Sequence, residues 1–261
     1  MKMILTSASF THRGGVRAHN EDAFLEAPQS GLWLVADGMG GYDAGDVASQ
    51  LICNTVARKL NDTADPLTAG ELEQSLHYAN RRIRQYGAEV LGGKTLGSTV
   101  AALLIEAGQY HLFWAGDSRC YRARSHKLIQ LSRDHSQVAD MVEQGILRAD
   151  QADNHPLAHV ITRALGVDPQ IELDYRTGEV ADGDLFLLCT DGVSKEFTSD
   201  QLGALASADS IDDASLAIMH SALVNKCNDN ITCIIVNVKE GCYSPLSSAQ
   251  IEDATIPICR R

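Results

Sequence analysis

Four times in this chain an apolar run that reads as a core strand meets an aspartate at its end. Asp37 ends LWLVAD, Asp117 ends HLFWAGD, Asp191 ends LFLLCTD, and Asp229 stands just before ITCIIVNV. An ionised carboxylate buried without compensation is very costly, so the fold must bring these four strand ends to solvent, to cationic partners or to bound cations. Arginine pairing alone is a poor match for all four. After Asp37 come Gly38, Met39, Gly40 and Gly41, then a further acid, Asp43, so the strand is expected to give way there to a flexible glycine-rich turn.

The rest of the chain can bury the core such strands require. Its 261 residues are 44% hydrophobic and 21% charged, which fits one large globular domain or two small ones. The formal net charge of -12 repels a phosphate backbone and argues against nucleic-acid binding. The N-terminal MKMILTSASFTHRGG lacks a signal-peptide core, and no run approaches the roughly 18–20 apolar residues of a membrane span. The seven cysteines form no CxxC pair and several sit inside apolar runs, as expected of reduced, buried thiols in a cytoplasmic protein.

Strand-like runs recur at Leu32–Ala36, Ser98–Ile105, Tyr110–Ala115, Cys120–Arg124, Leu185–Cys189 and Ile231–Val238. Short turns between the second, third and fourth of these suggest antiparallel meanders rather than crossovers. Two amphipathic helices precede the meander: Val47, Leu51, Ile52, Val56 and Leu60 share one face, and Leu72, Leu76, Ala79, Ile83 and Tyr86 another, after a capping box of Thr68 and Glu71. Further helices are expected near Gln137–Gln144, Ser199–Ala206 and Asp213–Asn225. Strands grouped with strands and helices with helices indicate an α+β layered domain over residues 1–240. Gly145–Asp168 reads as an irregular surface excursion, a candidate flap, and 241–261, with Pro245 and Pro257, as a tail.

An oxygen-only set of converging carboxylates, with no matching His/Cys cluster, suits hard cations such as Mg²⁺ or Mn²⁺ and could hold two of them. Gly38, lacking a side chain, would let its carbonyl approach a metal. Two such ions can share a water and lower its pKa, and phosphoryl-ester hydrolysis often uses that arrangement. In RGGVRAHNEDA, Arg17 could bind a phosphate dianion bidentately, with Glu21 and Asp22 adding acidic groups beside it.

In order and at these intervals, VRAHNEDA, VADGMGGYDAGDVAS, LGSTVAAL, WAGDSRCYR, LSRDHS, ITRALG, LLCTDGV and CNDNITCIIV resemble the motif series of the metal-dependent PPM phosphatases, the type 2C serine/threonine protein phosphatases, in their compact bacterial form. The match runs from about Thr6 to Val238. The resemblance implies a four-layer α-β-β-α sandwich, two antiparallel sheets flanked by helices, with Mn²⁺ or Mg²⁺ in a cleft at one end. It implies that Asp37 bridges two metals, that Gly38 lends a carbonyl to one, and that Asp191 and Asp229 complete the other. Glu21 and Asp22 would act through water, and Arg17 would hold the substrate phosphate. Asp117 matches a position that joins Asp191 in a third, weaker metal site of bacterial relatives, and residues 145–168 match a flap that influences substrate choice. Animal relatives carry a histidine two residues after the bridging aspartate as a proposed general acid. Here Met39 stands in that place and cannot donate a proton, which leaves that role to water.

The implied activity is hydrolysis of phosphoserine and phosphothreonine in proteins by a monomer, reversing a cognate serine/threonine kinase, in some organisms one that controls type VI secretion. A phosphoprotein-binding pseudophosphatase and a phosphatase of small metabolites are the alternatives. Plainer roles are expected for several neighbours: Asp43 and Asp46 as partners of a helix N-terminus, Asp134 and Ser136 as the cap of the helix at Gln137, and Arg163 as support for the fold or flap. His135 invites a catalytic reading but is expected to be structural, and His155 and His159, in the flap region, could touch a phosphopeptide but are expected to be solvent-facing loop residues.

Overall fold

The computed structural model describes residues 3–40, 44–62, 65–125, 127–152, 155–206 and 210–241. Asp43 and nearly all of the expected tail lie outside them. Alternation along the strands sets the layers. In the strand Leu32–Gly40, Leu32, Leu34 and Ala36 pack into one core cluster, and Trp33 and Val35 into another on the opposite face. The strand Ile231–Glu240 does the same, with Ile234, Val236 and Val238 on one face and Cys233 and Ile235 on the other. Side chains alternate across a strand, so each sheet carries two apolar faces and needs cover on both.

The elements in chain order are β1 (Met3–His12), β2 (Asp22–Ala27), β3 (Leu32–Gly40), α1 (Gly45–Asp62), α2 (Ala69–Glu89), β4 (Leu96–Ser98), β5 (Val100–Glu106), β6 (Gln109–Ala115), β7 (Arg119–Arg124), β8 (Lys127–Gln130), α3 (Gln137–Glu143), α4 (Ala149–Ala152), β9 (Asp174–Glu179), β10 (Leu185–Cys189), α5 (Asp191–Ser194), α6 (Ser199–Ala206), α7 (Ile211–Val224) and β11 (Ile231–Glu240). One antiparallel sheet has the order β1-β11-β10-β7-β8; the other runs β2-β3-β5-β6-β9, with β4 added on β3. Helices α1 and α2 cover the second sheet through Ala48, Ile52, Val56, Leu72, Leu76, Ala79 and Ile83. Helices α6 and α7 cover the first through Leu202, Ala214, Ile218 and Ala222. Trp33, Leu103, Leu112, Trp114, Phe186 and Ile234 fill the space between the sheets. The result is the four-layer α-β-β-α sandwich.

Three expectations about local structure change. The glycines after Asp37 are not a turn as far as Gly40: Gly38, Met39 and Gly40 continue β3 and pair with Ser98, Gly97 and Leu96. The run at Ser98–Ile105 breaks at Thr99 into β4 and β5. Strands β6 and β7 form no meander, because they belong to different sheets, so the turn at Gly116–Ser118 carries the chain from one sheet to the other. That crossing delivers Asp117 to the mouth of the inter-sheet gap.

The capping box of α2 forms as expected, with the Glu71 amide donating to Thr68 Oγ1 at 3.3 Å and the Thr68 amide donating to Glu71 Oε2 at 3.1 Å. Among the described residues of 145–168 there is little regular structure beyond α4, and the C-terminal side of the excursion is pinned. Ser136 bridges to Ile161 and Ser98 to Leu165, and Asn80 of α2 accepts from the Gly166 amide at 2.6 Å and donates to the Asp168 carbonyl at 3.0 Å. Among the described residues no helix is long and apolar enough to cross a membrane.

Candidate metal centre and active site

One end of the sandwich is acidic because the same alternation that buries Trp33 and Val35 aims Asp37 into the inter-sheet gap. Register places Asp22 of β2 directly opposite it. Asp22 is buried, and its Oδ2 accepts from the hydroxyls of Thr190 at 2.8 Å and Thr232 at 2.6 Å, both on the other sheet's side. Those two bonds tie the sheets together at the acidic end. The Asp37 amide donates to Thr99 Oγ1 at 3.0 Å, and the Thr99 amide donates back to the Asp37 carbonyl at 2.9 Å. The break between β4 and β5 thus serves to hold the acid's backbone.

Gly38 is required by crowding. A Cβ there would collide with the backbone carbonyls of Gly45 and Glu21, where β3, the start of α1 and the loop before β2 converge. Glu21 Oε1 accepts from the Gly45 amide at 3.0 Å, which sets a carboxylate on the N-terminus of the 18-residue helix α1. Asp46 Oδ1 accepts from the next amide, Val47, at 2.7 Å, in the helix-end role expected of it.

The opposite sheet supplies the other acids. Asp191 is the first residue of α5, two residues after the end of β10, and Asp229 lies two residues before β11. Arg17 Nη2 donates to Asp229 Oδ2 at 2.9 Å, with the arginine side chain 51% exposed to the cleft. The loop that carries Arg17 and Glu21 is held by one buried side chain: Asn230 Nδ2 donates to the carbonyls of Arg13 at 3.1 Å and His19 at 2.9 Å, and its Oδ1 accepts from the Glu21 amide at 2.8 Å. Lys195, four residues after Asp191, reaches Asp191 Oδ2 at 2.5 Å and lies 3.7 Å from Asp117 Oδ2. Its Nζ also donates to Nδ1 of His159, from the 145–168 excursion, at 3.2 Å.

One cleft of about 820 Å³ is lined by Arg17, Glu21, Asp37, Gly38, Asp117, Asp191 and Asp229 among others, while Asp22 sits behind its wall. The mutual repulsion is legible in the titration behaviour. Burial and the neighbouring Asp22, Asp191, Asp117 and Asp229 hold the Asp37 carboxyl well above its ordinary range. Burial, together with Asp191 and Asp229, pushes Asp22 up to about 7 despite its two hydroxyl donors. Burial and Asp191 push Asp117 up to about 6, against the pull of Lys195. Burial works against the Lys195 ammonium, yet Asp191, Asp117 and Asp37 outweigh it and raise its pKa.

Among the described residues no three His, Cys, Asp or Glu side chains form a ready-made metal cage, since Asp229 is turned to Arg17 and Asp191 to Lys195. Two observations nonetheless fit hard cations. Asp22 Oδ1 and Asp191 Oδ1 are buried with no hydrogen-bond partner, and the crowded donors are all oxygen. The Asp117–Asp191 pair is different, because the Lys195 ammonium already lies between its carboxylates.

The neighbouring residues divide between support and flap. His135 is buried, accepts from the Gly116 amide at 3.1 Å and stacks on Trp114, with Nε2 3.3 Å from Asp174. Arg163 ion-pairs with Asp174 at 2.5 Å and so fixes the excursion to β9. Ser136 caps α3 as expected, but Asp134 does not share that role; its carboxylate is forked by Arg119, at 2.7 Å from Nη2. His155 closes a local turn on the Leu157 amide. Sequence reasoning missed Lys195, Asn230, Thr190 and Thr232. Only Lys195 carried a signal, the i,i+4 spacing from Asp191.

The protein phosphatase 2C family model matches residues 11–223. A curated relative, the serine/threonine phosphatase stp of Listeria monocytogenes, is 32% identical over 238 residues, 87% of this chain and 93% of that one. Among solved structures, PppA, described as a key regulatory component of T6SS in Pseudomonas aeruginosa, is 38% identical with a TM-score of 0.80, covering 91% of this chain and 100% of that one. The catalytic domain of the serine threonine protein phosphatase PstP, in complex with 2 manganese ions, is 29% identical with a TM-score of 0.82, covering 92% and 100%. The alternation that layers the sheets, the acids gathered from both of them and these likenesses lead to one conclusion: the chain belongs to the protein phosphatase 2C family and is a metal-dependent serine/threonine protein phosphatase.

Proposed function

We propose that Asp37, Asp191 and Asp229, with the Gly38 carbonyl, hold two divalent cations, Mn²⁺ or Mg²⁺, at the mouth of the inter-sheet gap. The observation that carries this reading is the crowding of buried Asp37 by four other aspartates, Asp22, Asp117, Asp191 and Asp229, which calls for positive charge among them. When bound, such ions supply a water acidic enough to act as a nucleophile near neutral pH. Arg17 engages the phosphate dianion of the substrate from the rim, where it is half exposed and already anchored by Asp229. Equatorial charge on the phosphoryl group is then met by the guanidinium, and no side chain forms a phosphoenzyme. Glu21 and Asp22 order water around the site, Glu21 from the cleft wall and Asp22 from behind it. Met39 lines the cleft but has no proton to give, so the leaving serine or threonine oxygen takes its proton from water.

Residues 145–168 form the flap of a single phosphatase domain and contribute to substrate choice through His159 and Ile161 on the cleft wall. The substrates are phosphoserine and phosphothreonine proteins of the cytoplasm, the enzyme works as a monomer, and its activity opposes a cognate serine/threonine kinase. The likeness to PppA makes type VI secretion the first pathway to examine. The test is hydrolysis of a phosphothreonine peptide with Mn²⁺, with EDTA, and with Asp37→Asn or Asp191→Asn. Turnover that needs metal and collapses in both variants supports the reading, and a wild-type enzyme inactive in excess Mn²⁺ on peptides and small phosphomonoesters alike overturns it.

A further inference from the structure

We propose that Lys195 is the built-in cation of this site: its ammonium takes the place of a third metal between Asp117 and Asp191 and ties that pair to the flap through His159. The proposal rests on the metal-centre reading above and departs from the third, weaker ion that the resemblance implies at Asp117.

An ammonium has three N–H donors and no acceptor. Here Nζ donates to Asp191 Oδ2 at 2.5 Å and His159 Nδ1 at 3.2 Å, and lies at ion-pair distance, 3.7 Å, from Asp117 Oδ2. The two carboxylates are 13% and 9% exposed, so neither can turn to bulk solvent for compensation. Local geometry holds the lysine in position. Lys195 closes α5, its amide donating to the Asp191 carbonyl at 2.8 Å, so the i,i+4 spacing sets Nζ over the Asp191 carboxylate.

Charge counting agrees. Glu21, Asp22, Asp37, Asp117, Asp191 and Asp229 offer six carboxylates, and two divalent ions with Arg17 and Lys195 offer six positive charges. A third divalent ion would enter a site already neutral, beside a fixed positive charge. A lysine also differs from an ion in being covalently attached, so the contact to His159 does not depend on metal supply.

The test is Mn²⁺ stoichiometry of the full chain, by equilibrium dialysis with elemental analysis, for wild type, Lys195→Met, Lys195→Arg, Lys195→Met/Asp117→Asn and Asp37→Asn. Two ions per chain are expected in wild type and in Lys195→Arg, which keeps the charge. Lys195→Met is expected to gain a third, weaker ion that the added Asp117→Asn removes. Amide exchange across residues 155–161, measured in EDTA, should be at least severalfold faster in Lys195→Met than in Lys195→Arg, a readout independent of turnover and of the ions. Three ions in wild type overturn the proposal, as does a folded Lys195→Met that binds only two. Asp37→Asn separates the two readings: if it binds as many ions as wild type, the metal centre is misassigned, whatever Lys195 does.

Discussion

Asn230 is the residue on which the geometry of the cleft rim rests, and Asn230→Ala tests that directly. The side chain is 5% exposed and makes three hydrogen bonds to the backbone of the loop that carries Arg17 and Glu21. A hydrogen bond contributes a net ~0.5–1.5 kcal/mol, and leaving a buried partner unsatisfied costs ~1–3 kcal/mol. The loop's outer side is exposed, so water reaches part of the gap, and the loss is set at about 2–4 kcal/mol. With a Tm shift of roughly 2–4 °C per kcal/mol for a domain near this size, melting should fall by about 5–15 °C. With its loop freed, Arg17 would no longer meet the phosphate in the proposed register, and kcat/KM on a phosphothreonine peptide should drop by about 10-fold or more. Asn230→Asp keeps the acceptor for the Glu21 amide but turns an oxygen toward two carbonyls, so it should be at least as damaging. The assays are urea unfolding and steady-state kinetics in saturating Mn²⁺. An Asn230→Ala enzyme within about 0.5 kcal/mol of wild type, with unchanged kcat/KM, would refute the reasoning.

Two further outcomes are expected. Gly38→Ala should destabilise the fold by about 1–3 kcal/mol or more, since the added methyl meets rigid backbone at Gly45 and Glu21 and not a movable side chain; a Gly38→Ala melt matching wild type would show that the three segments are not in close contact. Burial, with the charge of Arg163, holds the His135 imidazole below its ordinary value of about 6.5 despite the nearby Asp174. Its contribution is therefore intact above about pH 6.5 and is lost as pH falls from there toward the lower folded value, where the unfolded imidazole takes a proton that the folded one resists. Urea unfolding at pH 7.5 and 5.5 should show a smaller loss for His135→Gln than for wild type, and equal losses would exclude the effect.

The acids were legible in the sequence because each interrupts or ends an apolar run, and a charged residue at such a place must be explained. The layers followed from the helical faces of α1 and α2 and from strand runs such as Leu185–Cys189. Strand β1 was not legible: its inter-sheet face begins with Met3 and Leu5 but continues with Ser7 and Ser9, which pair with Glu26, and Ser7 also receives the Trp33 indole, so the apolar alternation breaks off after two residues. Strand β9, with the sequence DYRTGE, is an exposed edge and shows no apolar alternation. The crossing at Gly116–Ser118 looks in sequence like an ordinary hairpin turn, because sheet membership depends on partners distant in the chain. Asn230 and the two threonines were missed for the same reason, since a polar residue that bonds to distant backbone has no local signature.

The acids that make this end of the sandwich chemically useful come from both sheets, with Asp37 on one and Asp191 and Asp229 on the other. Without positive charge between them they push the two halves apart, and the Thr190 and Thr232 hydroxyls on Asp22 oppose that strain from across the gap. Cations held as proposed by Asp37, Asp191 and Asp229 would act as a rivet through the molecule, and by mass action their grip would strengthen with the free concentration of the ion. A cell short of divalent metal would hold an enzyme that is idle and also more readily unfolded and degraded. Phosphatase abundance would then follow metal supply, with no dedicated sensor.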